Sequence, residues 1–182
     1  MRPEPQIAKG HFMKRTSSRS TVYLMRSAAI AAAVLAAGSS DAFAATISRT
    51  AEVNAPASEV WSLIGPFCAI KDWLPPVGQC IEDGKTPSTR ILVTKDGKAA
   101  FVETQTARSE AGHSYSYRFL SSPLPVSNYR STIKVVAKGD NSSTITWVGS
   151  YAPDHGKEKV ADQALGEVYD AGLAGIRNQL AK

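Results

Sequence analysis

The chain has 182 residues, a length that favours one domain. It carries 21 basic and 16 acidic side chains, but six of the basic ones lie before residue 45, so the remainder is almost electrically neutral. A nucleic-acid-binding domain would show a basic stripe, whereas basic and acidic residues are interleaved here, which excludes that class of protein.

The first 44 residues have the order of a secretory signal: basic residues, an apolar run and then small residues. The apolar run covers 28–37, and the basic residues before it are Lys14, Arg15, Arg19 and Arg26. The run has about half the length that a membrane-spanning helix needs, so a retained membrane anchor is the less favoured alternative. We therefore predict a signal peptide over 1–44 that is cleaved after Ala44, and a mature domain over 45–182 that is periplasmic or secreted.

The pattern of the mature part predicts one strand, two short helices, six strands and a long helix. Residues 46–53 alternate apolar and polar, which is typical of a strand. A short helix then begins near Asn54, a candidate cap, with Pro56 in its first turn, and ends at Gly65. A second short helix is predicted at 67–73. Segments of period two with tight turns between them predict six antiparallel strands at 77–82, 89–94, 99–107, 113–120, 128–138 and 143–151.

Residues 156–180 are predicted to form a long amphipathic helix. Apolar residues recur at spacings of three and four on one face: Val160, Ala164, Leu165, Val168, Tyr169, Gly172, Ile176 and Leu180. A helix of this length must lie across the sheet to bury that stripe, so the elements together predict an α+β fold. Gly166, Gly172 and Gly175 weaken the helix, and they indicate either close approach to the sheet or room left for a ligand.

The mature domain has two cysteines, Cys68 and Cys80. In an oxidising compartment such a pair can form a disulfide, and the alternative is two buried thiols on different elements. The sequence has no CxxC pair and no cluster of histidine and cysteine, so we expect neither a metal site nor a cofactor.

The order of elements and several local motifs resemble the START-like or SRPBCC superfamily, in particular its bacterial polyketide cyclase/dehydrase-type members. The motifs lie at 56–61, 67–73, 115–117 and 123–129, and the likeness extends from about residue 47 to residue 180. The resemblance implies a helix-grip fold, in which a curved seven-stranded antiparallel sheet (β-α-α-β6-α) wraps around the long C-terminal helix over a cavity for an apolar molecule.

Alternation along the strands predicts which side chains face such a cavity, because every second residue of a strand points to the same side. Tyr115, Tyr117 and Phe119 are expected to point inward, and the same rule applies to the strands that follow. Together with the resemblance, this predicts as ligand contacts Trp73, Leu92, Phe101, Glu103, Tyr115, Tyr117, Tyr129, Ile133, Trp147, Val168 and Gly172.

Arg90, Glu103 and Tyr129 are the candidate catalytic residues, because the resemblance places polar residues at these three positions in several relatives. A buried carboxylate beside an arginine can accept a proton, and a tyrosine hydroxyl can orient an oxygen. The alternatives are a structural ion pair between Arg90 and Glu103 and a role in orienting the ligand. The lysine with which hormone-receptor relatives hold a ligand carboxylate falls at Leu74, so that anchoring cation is missing.

We weigh three functions for the domain. The first is an exported binding protein for a small hydrophobic molecule such as a lipid, a polyketide or an aromatic compound. The second is a periplasmic accessory protein that contacts an oxidoreductase. The third is a cyclase or dehydratase that uses Glu103 with Arg90 and Tyr129. A binding protein is favoured over an enzyme, because no motif that performs chemistry is present.

Overall fold

A computed structural model of the chain describes residues 44–182. The predicted signal peptide lies outside this range except for Ala44, and its cleavage stays a prediction. The strands of the described part are β1 Ala45–Val53, β2 Val77–Glu82, β3 Thr89–Thr94, β4 Ala100–Ser109, β5 Ser114–Ser121, β6 Val126–Gly139 and β7 Ser142–Pro153. Its helices are α1 Ala57–Ile64, α2 Ile70–Trp73 and α3 Glu158–Leu180, with a 3-10 turn at Phe67–Ala69 before α2. None of these helices is long and apolar enough to cross a membrane.

The seven strands form one sheet in the order β1-β7-β6-β5-β4-β3-β2, and every neighbouring pair is antiparallel. Strands β2 to β7 follow one another as a meander, and β1 adds to the far side of β7, where Ala45 pairs with Tyr151. The predicted seven-stranded antiparallel sheet with a long C-terminal helix is therefore confirmed.

Alternating burial along the strands places the core on one face of the sheet, against α3. In β6 the buried residues are Tyr129, Ser131, Ile133 and Val135, and in β7 they are Ser143, Ile145, Trp147, Gly149, Tyr151 and Ala152. The intervening residues of β6 are exposed, because a strand covered on one side alternates between the core and solvent. The inward-facing residues predicted from parity are confirmed on these strands.

The assignment of Val160 to the predicted stripe of α3 is wrong, whereas Leu165, Tyr169, Gly172 and Ile176 are buried and Ala164, Val168 and Leu180 are half-buried. Val160 is 55% exposed. Residues 154–160 are all exposed, and burial along the helix begins only at Ala161. At Gly172 a Cβ would lie 2.6 Å from Cζ3 of Trp147, so this glycine permits close approach to the core rings. Room left for a ligand is therefore not the reason for it.

Two local expectations need correction. Asn54 does not cap α1: Pro56 precedes the helix, and its carbonyl accepts the amides of Glu59 and Val60 at 3.0 and 3.1 Å. Asn128 does not begin a strand but lies inside β6, where its φ is 55° and the register with β7 shifts. Asparagine tolerates this left-handed conformation, so the residue forms a bulge where the sequence predicts a strand end.

Candidate functional site

A cavity of about 210 Å³ lies between the sheet, α3 and the segment that follows α2. Strands β3 to β7 contribute most of its wall, and α3 covers the opposite side. The residues that line it are Ile70, Leu74, Pro76, Val77, Leu92, Val93, Thr94, Phe101, Glu103, Tyr117, Phe119, Leu124, Tyr129, Trp147, Leu165 and Val168. The part of the wall that residues 44–182 form is almost entirely apolar, and Glu103 is the only carboxylate in it.

Most of the ligand contacts predicted from the sequence line this cavity. They come from five different strands and from α3: Leu92, Phe101, Glu103, Tyr117, Tyr129, Trp147 and Val168. The alternation along the strands predicts them correctly as inward-facing, because the cavity lies on the buried face of the sheet. Their contact with a ligand stays a prediction.

Four predicted contacts do not line the cavity. Trp73 is buried against Trp147, with ring centroids 5.6 Å apart, and Gly172 packs beneath both rings. Tyr115 is covered by Phe67 at 5.7 Å and is fully buried in the core. The fourth residue, Ile133, is opposite Tyr115 and Trp147 on the neighbouring strands and is completely buried. These residues face the interior as predicted, but they pack against other core residues and do not reach the cavity.

Arg90 and Glu103 form a buried ion pair at the cavity wall. They are paired across β3 and β4, and Nε of Arg90 donates to Oε2 of Glu103 at 2.6 Å. Nη1 of Arg90 donates to the Phe67 carbonyl, and the guanidinium lies 3.9 Å from the centroid of the Phe67 ring. Glu103 lines the cavity, whereas Arg90 is fully buried and does not line it. Burial raises the pKa of Glu103, and the adjacent Arg90 opposes that rise.

Tyr129 is not joined to this ion pair. Its hydroxyl is 2.7 Å from the hydroxyl of Tyr169 and 3.4 Å from that of Tyr117. No hydrogen bond links it to Glu103 or Arg90 among residues 44–182. The structure therefore brings two of the three candidate catalytic residues together and assigns the third to a different polar group.

That second group, which we call the hydroxyl network, consists of Tyr117, Tyr129, Ser131, Trp147 and Tyr169. Tyr169 lies 2.8 Å from the Ser131 hydroxyl, and Nε1 of Trp147 donates to Ser131 at 2.9 Å and to Tyr117 at 3.2 Å. The Tyr169 ring also stacks on Trp147, with centroids 4.2 Å apart. The network thus satisfies polar groups that α3 and the sheet bury together.

The network holds its tyrosines in the neutral form. Burial raises the pKa of Tyr169 to about 12, although its bonds to Ser131 and Tyr129 lower the pKa in part. Burial also raises the pKa values of Tyr117 and Tyr129 well above the ordinary value. Because a neutral hydroxyl both donates and accepts, these residues can orient one another, but they cannot act as proton acceptors near neutral pH.

Sequence reasoning missed part of the wall. Phe119 and Leu165 could have been included, because parity on β5 and the helix stripe place both on the inner side. Leu74 and Pro76 lie in the connection between α2 and β2, where no periodic pattern marks an inward-facing side chain. The other unpredicted lining residues are Ile70, Val77, Val93, Thr94 and Leu124.

Cys68 and Cys80 are joined in a disulfide, with Cα atoms 5.5 Å apart. The bond connects the 3-10 turn before α2 to the middle of β2. The chain between the two cysteines carries Ile70, Leu74 and Pro76 to the cavity. We call residues 68–80 the disulfide-closed segment, and its covalent closure restrains this part of the cavity wall.

Sequence comparison places most of the chain in a known group. The sequence model of a family described as "Polyketide cyclase / dehydrase and lipid transport" matches residues 44–181. A comparison with curated proteins found no match.

Solved structures share the architecture. An uncharacterized protein from Bacillus thuringiensis is 27% identical with a TM-score of 0.71, and the match covers 76% of this chain and 100% of that one. A START superfamily protein from Mycobacterium smegmatis is 17% identical with a TM-score of 0.64 over 75% and 97% of the two chains. The Zhui aromatase/cyclase from Streptomyces sp. R1128 is 15% identical with a TM-score of 0.62 over 76% and 94%. The last two likenesses show the fold alone.

Proposed function

The chain belongs to the polyketide cyclase/dehydrase and lipid transport family, and from this premise we propose that it binds a small hydrophobic molecule in its internal cavity. The observation that carries the proposal is the cavity of about 210 Å³, which has apolar walls and a single carboxylate. A well-formed apolar pocket with few polar groups is the usual form of a small-molecule site. An apolar ligand there would remove its own surface from water and stabilise the fold.

A cavity-filling substitution tests the proposal. Val168 lines the cavity from α3, whereas Val160 lies two turns earlier on the same helix and is exposed. We expect naphthalene to raise the melting temperature of the unmodified chain and of the matched control Val160→Phe. The melting temperature of Val168→Phe should hardly change, because the phenylalanine ring occupies the cavity. Calorimetric melting curves with and without naphthalene measure this. An equal response in the two variants would reject the cavity as the site.

We propose in addition that the protein works after export. The secretory pattern of residues 1–44 supports this, and so does the disulfide, since such bonds persist mainly in oxidising compartments. The test is amino-terminal sequencing of the protein from a periplasmic fraction. The first residue should be Ala45, and recovery of the uncleaved chain from the cytoplasm alone would contradict export.

The other two hypotheses have weaker support. A cyclase or dehydratase would use Glu103, but the tyrosine expected to act beside it belongs to the hydroxyl network. The accessory-protein hypothesis needs a contact with an oxidoreductase, for which residues 44–182 provide no specific observation. Both stay predictions, and ligand binding is the function that the cavity supports best.

A further inference from the structure

The size of the cavity limits which ligands fit, and this step rests on the proposed binding function. An apolar cavity of about 150 Å³ can hold benzene, and pockets for drug-sized molecules begin near 300 Å³. The cavity here has about 210 Å³. It therefore matches a compound of one or two rings and is too small for a long acyl chain or an extended polyketide.

The wall favours a flat aromatic ligand. Phe119 stacks on Tyr129 with ring centroids 3.9 Å apart, and Phe101 lies 5.9 Å from Phe119. Trp147 contributes a further ring to the same cavity. Aromatic rings pack against one another in preferred offset and edge-on arrangements, so a ring in this space gains more than an aliphatic group of equal area.

The polar side chains of the wall differ in whether they already have hydrogen-bond partners within the protein. The Tyr129 hydroxyl is bonded to Tyr169, that of Tyr117 accepts from Trp147, and that of Thr94 lies 2.6 Å from Asp96. Glu103 is different, because Oε2 accepts from Arg90 while Oε1 has no hydrogen bond from any residue of 44–182. The side chain is also buried, being 4% exposed. Among the side-chain oxygens of the wall within residues 44–182, Oε1 of Glu103 is thus the one without a hydrogen bond.

That oxygen accepts hydrogen bonds and cannot donate them. Burial raises the pKa of Glu103, but Arg90 is always protonated and donates to Oε2 at 2.6 Å, and this contact favours the ionised carboxylate. An ionised carboxylate has only acceptor sites. A ligand hydroxyl would donate a charge-assisted hydrogen bond to Oε1, and such a bond is stronger than one between neutral groups.

A ligand carboxylate would meet the opposite situation. It would bring a second negative charge beside Glu103 in a site with little water, where repulsion between like charges is weakly screened. Arg90 is not among the residues that line the cavity, although its buried Nη2 has no hydrogen-bond partner in the described part of the chain, so the charged group at the wall itself is Glu103. We propose that the cavity selects a compact neutral arene that bears a hydroxyl donor, as a phenol does. Glu103 accepts a hydrogen bond from that hydroxyl and repels ligands that carry a carboxylate.

Three probes of equal ring size test the selection by isothermal titration calorimetry on the full chain at neutral pH. They are naphthalene, 2-naphthol and 2-naphthoate. We expect the naphthol to bind about tenfold more tightly than naphthalene or better, because one hydrogen bond to a charged group is gained. We expect the naphthoate to show no measurable binding. Naphthoate binding as tight as naphthol, or naphthalene binding as tight as naphthol, would overturn the inference.

A double variant shows whether the ion pair is responsible. Replacing one partner alone would leave a buried charge, so Arg90→Met and Glu103→Leu are combined, which keeps the site apolar. We expect the advantage of naphthol over naphthalene to disappear in this variant. The control is Glu52→Leu with Lys138→Met, which removes an exposed ion pair outside the cavity and should leave the preference intact. A naphthol preference that persists in the folded double variant would reject the role of Glu103.

The outcomes separate this inference from the proposed function. If naphthalene binds but naphthol has no advantage, the cavity is a binding site and only the selection for a donor fails. If none of the three probes binds, both proposals fail. Circular dichroism shows whether the double variant is folded, and the three probes on the unmodified chain decide the question even where it is not.

Discussion

At the scale of single residues, Gly149 shows how closely α3 approaches the sheet. A Cβ at this position would overlap the Tyr169 hydroxyl and lie 3.3 Å from Cγ2 of Ile47. That same hydroxyl bonds to Tyr129 and Ser131, so it has little freedom to move away. The absence of a side chain at Gly149 is therefore what allows the hydroxyl network to form.

A pair of substitutions tests this contact. Gly149→Ala should destabilise the fold by about 1–3 kcal/mol through overpacking, and Tyr169→Phe should cost about 1–3 kcal/mol by leaving its buried partners short of a hydrogen bond. The double variant should cost clearly less than the sum, because Phe lacks the oxygen that the new methyl group meets. Urea unfolding of the four proteins measures the coupling, and strictly additive losses would show that the two residues are not in contact.

At the scale of elements, the disulfide-closed segment compensates for weak local structure. Helix α2 is only four residues long and has no side-chain cap, and the 3-10 turn before it is shorter still. Such short helices are marginal by themselves, so their position depends on tertiary contacts. Trp73 supplies one such contact through Trp147, and the bond between Cys68 and Cys80 is a covalent one.

Removing that bond should lower stability without changing the fold. Cys68→Ser combined with Cys80→Ser should reduce the free energy of unfolding by about 3 kcal/mol, the usual effect of opening a loop of this length. Urea unfolding under non-reducing conditions is the measurement. Adding dithiothreitol should lower the stability of the unmodified protein by a similar amount and leave the double variant unaffected. A double variant as stable as the oxidised protein would show that the disulfide does not restrain the segment.

The elements differ in how far the sequence predicts them. Strands β5 and β6 are predicted nearly in full, because one face of each is buried and alternation records it. The start of α1 is less predictable, since Asn54 has the chemistry of a cap and the chain does not use it. A cap depends on backbone angles that neighbouring elements impose, and composition does not reveal them.

The cavity was predictable only in outline for a similar reason. Parity places Tyr115, Tyr117 and Ile133 on one inner face, but only Tyr117 reaches the cavity. Phe67 covers Tyr115 from an element far away in the sequence, and no local pattern records that contact. The ion pair between Arg90 and Glu103 could be predicted, and it was one of the alternatives for these residues. The hydrogen bonds of Tyr129 could not, because they depend on how α3 lies against β6.

At the scale of the whole molecule, the buried tyrosines set an alkaline limit to stability. The pKa of Tyr169 is raised to about 12 in the folded state, while an unfolded tyrosine titrates near pH 10. The folded state therefore keeps protons that the unfolded state releases. The resulting stability is fully present below about pH 10 and is lost as the pH rises through about 12.

Unfolding by urea at rising pH tests this prediction. Between about pH 9 and about pH 12 the free energy of unfolding should fall by about 2 kcal/mol on account of Tyr169 alone. Tyr117 and Tyr129 have raised pKa values as well, so they should add to the loss. The variant Tyr169→Phe should show a shallower decline over the same range. A stability that stays constant to the upper limit would contradict the assignment of these tyrosines to the buried network.

The pairing of β1 with β7 bears on how the chain folds as it is made. Strand β1 is the first of the domain, and its neighbour in the sheet is the last, with Ala45 opposite Tyr151. Helix α3, which also packs on β1, is synthesised later still. Contacts between such distant parts of a chain form slowly, because a long loop must close first. The nascent domain therefore stays incomplete until its final segment emerges, and this delay would favour the export that we propose, since a translocon passes unfolded chains.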